Sequence, residues 1–274
     1  MKLKWIYLAL TSIVFHTGCK RKLLENAPLS NQKLVVKTID WPEIGMKAKV
    51  DYFIDTTIKR IVYDGGTSPT QRNFTYGTQG LSTISSPQSL LINKYEYDVD
   101  GRLSKLNRLA NDATEPRLIR TIEFKYNGSG QLSTLQTYNV NQAVRSLIST
   151  SKYSYHDGLP SEVRTIFTNS MEYLTRIEGY SDRVSYNPII FLGESSDPLS
   201  HIFNLPLLAY LAGKEKLPTV VRSFIIEQGG GPAPDFEYIS SFRVDKTRIV
   251  EQNSKSTQHR TGTVNEAKVI FGYQ

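Results

Sequence analysis

Three stretches of the chain repeat one pattern: YEYDVDGRLSKL from Tyr95, FKYNGSGQLSTL from Phe124 and YSYHDGLPSEV from Tyr153. Each reads aromatic, any residue, tyrosine, then glycine, then leucine, and Tyr97, Tyr126 and Tyr155 follow one another at intervals of 29 residues. FTYGTQGLSTI from Phe74 is a looser fourth copy. Such a unit is the end of one strand, a tight reversal and the start of the next, which is a β-hairpin. Glycine suits the reversal because a positive φ is closed to most residues with a Cβ. Aromatics two apart share a strand face. The pairs Phe74/Tyr76, Tyr95/Tyr97, Phe124/Tyr126 and Tyr153/Tyr155 are therefore expected to form a ladder across neighbouring strands. That ladder is either core or a sugar-binding platform, and an exported domain without disulfides, which must offset its ordering entropy by burial, is expected to use it as core, with some tyrosine hydroxyls reaching water at the sheet rim.

Period-two alternation extends the reading beyond the repeat. From Leu118 to Tyr126 the even positions are Leu, Arg, Ile, Phe and Tyr, and the odd ones are largely polar. Similar alternation runs through Ala48–Ile54, Phe236–Val244 and Ala267–Tyr273, with turn signals between segments. The expected fold is all-β: a many-stranded antiparallel barrel or strongly curved meander sheet built from repeated hairpins. Between Tyr186 and Pro218 the alternation stops. Asp197-Pro198 and Pro206 fit helix starts, and Leu207, Leu208 and Leu211 share a helical face, so this one helical insertion is expected to be a plug or a lid at a barrel end.

The chain opens with two lysines, an apolar run from Trp5 to Phe15, then Thr17, Gly18 and Cys19, the only cysteine among 274 residues. The run is shorter than the about 20 residues a spanning helix needs, and it reads as an export signal. Its end resembles bacterial lipoprotein signals, with His16 where leucine is usual, and the resemblance implies lipidation at Cys19. The competing reading is an ordinary signal cleaved elsewhere. Either way the body has no disulfide, thiolate metal site or cysteine nucleophile. Removing residues 1–18 takes away Lys2 and Lys4, leaving 31 basic against 26 acidic residues. This diffuse excess points to anionic lipid or polysaccharide rather than nucleic acid. Lys20, Arg21 and Lys22 would then lie at headgroup level, or form a solvated linker.

The tyrosine copies, above all YEYDVDGRL, resemble the tyrosine-aspartate repeats of Rhs-type wall proteins, over Phe74 to about Val163. With its signal and layout, the whole chain resembles uncharacterised Bacteroidota lipoproteins whose domain of unknown function has a porin-like fold, and that likeness implies a barrel or curved sheet without bringing an activity. The basic residues after Cys19, where cell-surface lipoproteins of that phylum are commonly acidic, favour an outer-membrane lipoprotein facing the periplasm over one at the cell surface. A membrane-spanning barrel is not expected, because even the more apolar strand face carries Arg120, Ser149, Ser151 and Ser240.

No chemistry stands out. His156, His201 and His259 are too far apart to make a local metal pair, Asp98-Val-Asp100-Gly101 reads as a hairpin turn rather than a calcium loop, and no Gly-x-Ser-x-Gly elbow occurs. No cofactor, metal or nucleic-acid partner is expected. The expected organisation is a signal over 1–18, a lipidated linker over 19–40 and one β domain over 41–274 with the insertion at 186–218. Tyr186, His201 and Tyr210 are the candidate ligand-binding side chains. The expected role is non-enzymatic, binding a glycan or lipid of the envelope or scaffolding it, with the membrane as partner through the N-terminal lipid. A hydrolase acting on envelope polysaccharide through paired carboxylates is the second reading.

Overall fold

The computed structural model describes residues 35–65, 70–111, 115–191, 215–227 and 230–273. Sixteen strands follow one another: β1 (Val36–Trp41), β2 (Met46–Tyr52), β3 (Ile58–Asp64), β4 (Thr70–Gly77), β5 (Gly80–Ser86), β6 (Ser89–Tyr97), β7 (Leu103–Ala110) and β8 (Arg117–Tyr126). The second half is β9 (Leu132–Asn141), β10 (Val144–His156), β11 (Leu159–Phe167), β12 (Glu172–Tyr180), β13 (Pro218–Ile226), β14 (Pro232–Asp245), β15 (Arg248–Gln258) and β16 (Thr263–Tyr273). Each pairs antiparallel with its sequence neighbours, and β1 pairs with β16, so the meander closes into a barrel. Closure leaves no sheet edge to recruit another chain. Two short 3-10 turns, Pro42–Ile44 and Pro188–Phe191, are the helical elements among the described residues. The first strand begins at Val36, so the barrel takes in residues assigned above to the linker.

Two turns show how the hairpins are made. In the β6–β7 reversal the Asp98 carboxylate accepts the backbone N–H of Asp100 and of Arg102. In the β8–β9 reversal the Asn127 side-chain oxygen accepts those of Ser129 and Gln131. Gly101 and Gly130 sit at φ 76° and 79°, the left-handed conformation expected of them. The first turn is the Asp-Val-Asp-Gly stretch, and its acidic side chains are spent on backbone donors and on Arg102.

At one end of the barrel a single device recurs. Even-numbered strands finish there in tyrosines, and seven of these donate their hydroxyl to the first carbonyls of the preceding odd-numbered strands: Tyr52 to Val36, Tyr76 to Ile58, Tyr97 to Leu81, Tyr126 to Leu103, Tyr155 to Leu132, Tyr180 to Pro160 and Tyr273 to Ile249, at 2.6–3.0 Å. The eighth place, at the end of β14, is Val244, and Ser240 instead takes the carbonyl of Pro218. In all eight strand pairs that meet at this end the register also slips by one residue just before the last one or two pairs. The odd strand holds the extra residue each time: Lys37, Lys59, Ser82, Ser104, Ser133, Ser161, Thr219 and Val250. Bulges sharpen twist and bend a strand, which is how a rim closes. The repeat read over Phe74–Val163 thus runs around the whole rim, and the hydroxyls serve main-chain carbonyls rather than water.

Inside this rim lies an apolar core. Val36, Ile58, Leu81, Leu103 and Ile249, at the starts of odd strands, are at most 8 % exposed and cluster with Phe74, Tyr95 and Phe271. The segment after β12 folds inward onto the cluster, burying Val184, Ile189 and Leu217. Backbone bonds from Val184 to Glu215 and from Ser185 to Thr247 hold it there. These flanks of the insertion thus pack onto the apolar cluster at the tyrosine end; the helix starts expected at Asp197 and Pro206 lie outside the described residues. A second cluster, Ile122, Leu132, Tyr153, Val163, Ile177 and Val221, fills the half of the barrel from β8 to β13.

The more apolar strand face, with Arg120, Ser149, Ser151 and Ser240, is the inner one. The outer face is more polar still, belted by cross-strand ion pairs such as Arg60–Asp51, Arg145–Glu123, Arg222–Glu237 and Lys268–Glu251. Arginine or lysine at a bilayer midplane costs about 2–4 kcal/mol each on a barrel's lipid face. Among the described residues, charged pairs interrupt the apolar side chains of this wall.

Candidate functional site

Toward the end opposite the tyrosine rim, the inner wall changes character. Strand pairing sets Asn93 (β6) opposite Arg108 (β7), Arg108 opposite Arg120 (β8) and Arg120 opposite Asn139 (β9). The four side chains form one row, Asn-Arg-Arg-Asn, across four strands. Arg108 Nε donates to Asn93 Oδ1 at 3.0 Å, and Arg120 reaches Asn139 Oδ1 through Nη2 at 3.2 Å. Each guanidinium is thus anchored on its flanking asparagine, which holds the two cations side by side. Like charges directly opposite on a sheet are destabilising. The row is half-buried and Asn139, at its end, is exposed.

Two further groups strengthen the row. Arg72 of β4 lies on the same inner face, with its guanidinium 5.1 Å from the centre of the Tyr63 ring. Arg72 and Arg108 both lie close enough to Tyr95 to oppose the rise that burial imposes on its hydroxyl pKa. One rung toward the tyrosine end, Thr137 of β9 faces Ser149 of β10. Both are fully buried, and neither hydroxyl has a hydrogen-bond partner among the described residues. Elsewhere buried inner-wall hydroxyls pair across strands, Ser151 with Thr165 and Thr175 with Ser223, each at 2.8 Å.

Of the residues singled out from sequence, Tyr186 stands at the tyrosine end, packed on the apolar cluster, its hydroxyl 3.4 Å from the Lys216 carbonyl. Cys19, His201 and Tyr210 lie outside the described residues. The paired carboxylates of the second reading are not found on the inner wall among the described residues: alternation turns the mid-strand acids outward, into the ion pairs of the belt. Among the described residues no three of His, Cys, Asp and Glu gather as a metal site would need.

No family model and no curated protein matches the chain. Solved structures do. A porin-like protein from Bacteroides vulgatus superposes with a TM-score of 0.55 at 14% identity, over 87% of this chain and 98% of that one. A porin-like protein from Bacteroides uniformis gives 0.54 at 10% identity over the same shares. At such identities the likeness is one of fold, and the fold it supports is the barrel.

Proposed function

We propose that the chain is a lipid-tethered β-barrel of the cell envelope, held through Cys19 on the periplasmic side of the outer membrane, that binds an envelope component at the arginine-lined end. The neighbours' porin-like description fits an envelope setting. The division of the wall supports the reading: ion pairs belt the outside, apolar flanks of the insertion pack into one end, and a polar row lines the interior toward the other. A pore needs two open mouths and an apolar girdle, whereas a binding barrel needs one mouth and a few convergent polar groups on an apolar bed. Hydrolysis by a carboxylate pair has no pair to act with among the described inner-wall residues.

Two measurements test this. Cys19→Ser should move the protein to the soluble fraction and abolish labelling by a fatty-acid probe; retention in the membrane would remove the tether from the reading. The soluble domain without residues 1–19 should bind selected members of a glycan and lipid array, and an array blank throughout would leave a purely structural role.

A further inference from the structure

Resting on the tether in that reading, we infer that the tyrosine end of the barrel is a membrane-docking face, on which the β2–β3 and β6–β7 turns seat Ile54 and Val99 in the phospholipid headgroup layer. Turn tips are ordinarily glycine, asparagine, aspartate or serine. The β8–β9 and β10–β11 turns follow that rule, with Gly128-Ser129 and Asp157-Gly158 at their tips. The β2–β3 and β6–β7 turns do not. Ile54 is exposed over its whole surface, Val99 is 97 % exposed, and Phe53 is exposed beside Ile54. One exposed apolar side chain is ordinary on a protein surface; these three share one arc of one rim. Phe53 meets the Tyr76 ring edge-on at 6.4 Å, and Gln79 of the β4–β5 turn donates to the Asp98 carbonyl at 3.3 Å, so three successive turns make a continuous surface.

These turns spend their polar groups internally. Thr56 N–H donates to the Phe53 carbonyl, and Asp55 accepts the N–H of Thr57. Asp98 accepts the N–H of Asp100 and of Arg102, and the Arg102 guanidinium pairs with both aspartates. Polar groups already paired within a turn need less water when its tip leaves bulk solvent. Just behind the tips, Lys37 lies over the Tyr52 ring and Lys59 over the Phe53 ring, at 5.4 and 5.8 Å. Lysines so placed cover apolar surface with their stems and carry their ammonium groups to headgroup level.

The point where the chain enters the barrel names the occupant. β1 begins at Val36 on this same rim and pairs with β2, so the lead-in from Cys19 joins beside the apolar arc. At no more than about 3.6 Å per residue, residues 20–35 hold Cys19 within about 60 Å of Val36. The far rim is about 30 Å further, the length of a strand such as β8. Ile44, Leu90 and Val144 are exposed there, but to lay that rim on the bilayer the tether must run back along the wall. A tether favours the face nearest its root. Docking by the tyrosine end turns the arginine-lined end toward the aqueous side, so its ligand arrives from solution rather than from the anchoring membrane.

The lipidated chain in vesicles of phosphatidylethanolamine and phosphatidylglycerol tests this. Cys19 is the only cysteine, and acylation blocks its thiol, so Ile54→Cys, Val99→Cys, Ile44→Cys and Val144→Cys chains each take a single environment-sensitive fluorophore. All four positions are exposed, and an unchanged thermal midpoint shows that each barrel is intact. Brominated phospholipid should quench the reporters at the Ile54 and Val99 positions at least about twofold more than the other two, and iodide in solution should give the reverse order. Adding Val99→Glu to the Ile54→Cys chain should cut its lipid quenching by about half. Equal quenching of all four reporters, or stronger lipid quenching at the Ile44 and Val144 positions, in a chain acylated at Cys19 would overturn the docking face and leave the tether standing. A chain that takes up no fatty-acid probe at Cys19 would instead remove the tether, and the docking face with it.

Discussion

A tyrosine hydroxyl that donates to a main-chain carbonyl fixes its ring and satisfies an acceptor at a strand start. Losing the hydroxyl alone should therefore cost more than its small size suggests. Tyr97→Phe strands the Leu81 carbonyl and is expected to lower unfolding free energy by about 1–2 kcal/mol, while Tyr97→Ala also empties the space of a ring and should cost about 3–5 kcal/mol; urea denaturation of the soluble domain measures both. These hydroxyls also set the alkaline limit. Burial pushes Tyr155 and Tyr273 from 10.0 up to about 12, and pushes Tyr52, Tyr76, Tyr97, Tyr126 and Tyr180 higher still. A folded pKa above the unfolded one means that the contribution is complete below about pH 10 and is lost as pH rises toward 12 and beyond. Absorbance at 295 nm should show the rim tyrosines ionising only as the barrel unfolds. Smooth titration near pH 10 with the circular dichroism of the fold intact would refute their burial.

At the level of strands and turns, the bulges explain what the sequence conceals. The copies at Phe74, Tyr95, Phe124 and Tyr153 were legible because a turn glycine follows each tyrosine. Tyr52, Tyr180 and Tyr273 play the same part without that signal: the turn after Tyr52 reverses at Thr56, a non-glycine residue with φ 70°, β12 leads into the insertion, and β16 is the last strand. A one-residue slip shifts the alternating pattern to the other face, so period-two reading loses the odd strands at each bulge. The arginine row was half-visible. Arg120 stood out on its apolar face, but its partnership with Arg108 depends on the register chosen by the connection from Asn111 to Pro116, which carries no spacing rule. One substitution isolates a bulge from the rest of the fold. A Cβ on Gly272 would collide with Oγ1 of Thr38, next to the extra residue Lys37. Gly272→Ala is expected to cost about 1–3 kcal/mol, as overpacking does, and Thr38→Ala in the same chain should recover most of it in a double-mutant cycle.

For the molecule as a whole, closure is the decisive event. An all-β fold was legible from alternation and a barrel from the repeat, but the choice between a closed barrel and an open curved sheet rests on β1 meeting β16, a contact between the two extremes of the described chain. Val36 to Asp40 of β1 fall within the stretch assigned to the linker, and VKTIDW alternates only weakly. The structure makes it the seam. A soluble domain starting at residue 35 should be monomeric and melt cooperatively. One starting at residue 42 loses β1, bares the edges of β2 and β16 and should associate or aggregate; size-exclusion chromatography distinguishes the outcomes, and a well-behaved monomer from residue 42 would show that closure is dispensable.

The seam also dictates when the protein can finish folding. Ile39 pairs with Phe271, so the hairpins that form early along the chain remain an unfinished ribbon with two adhesive edges until the final strand is in place. Rates of folding fall as contacts become more distant in sequence, and each exposed edge is an invitation to a neighbouring copy. Shielding is therefore needed for as long as that ribbon stays open, whichever compartment it folds in.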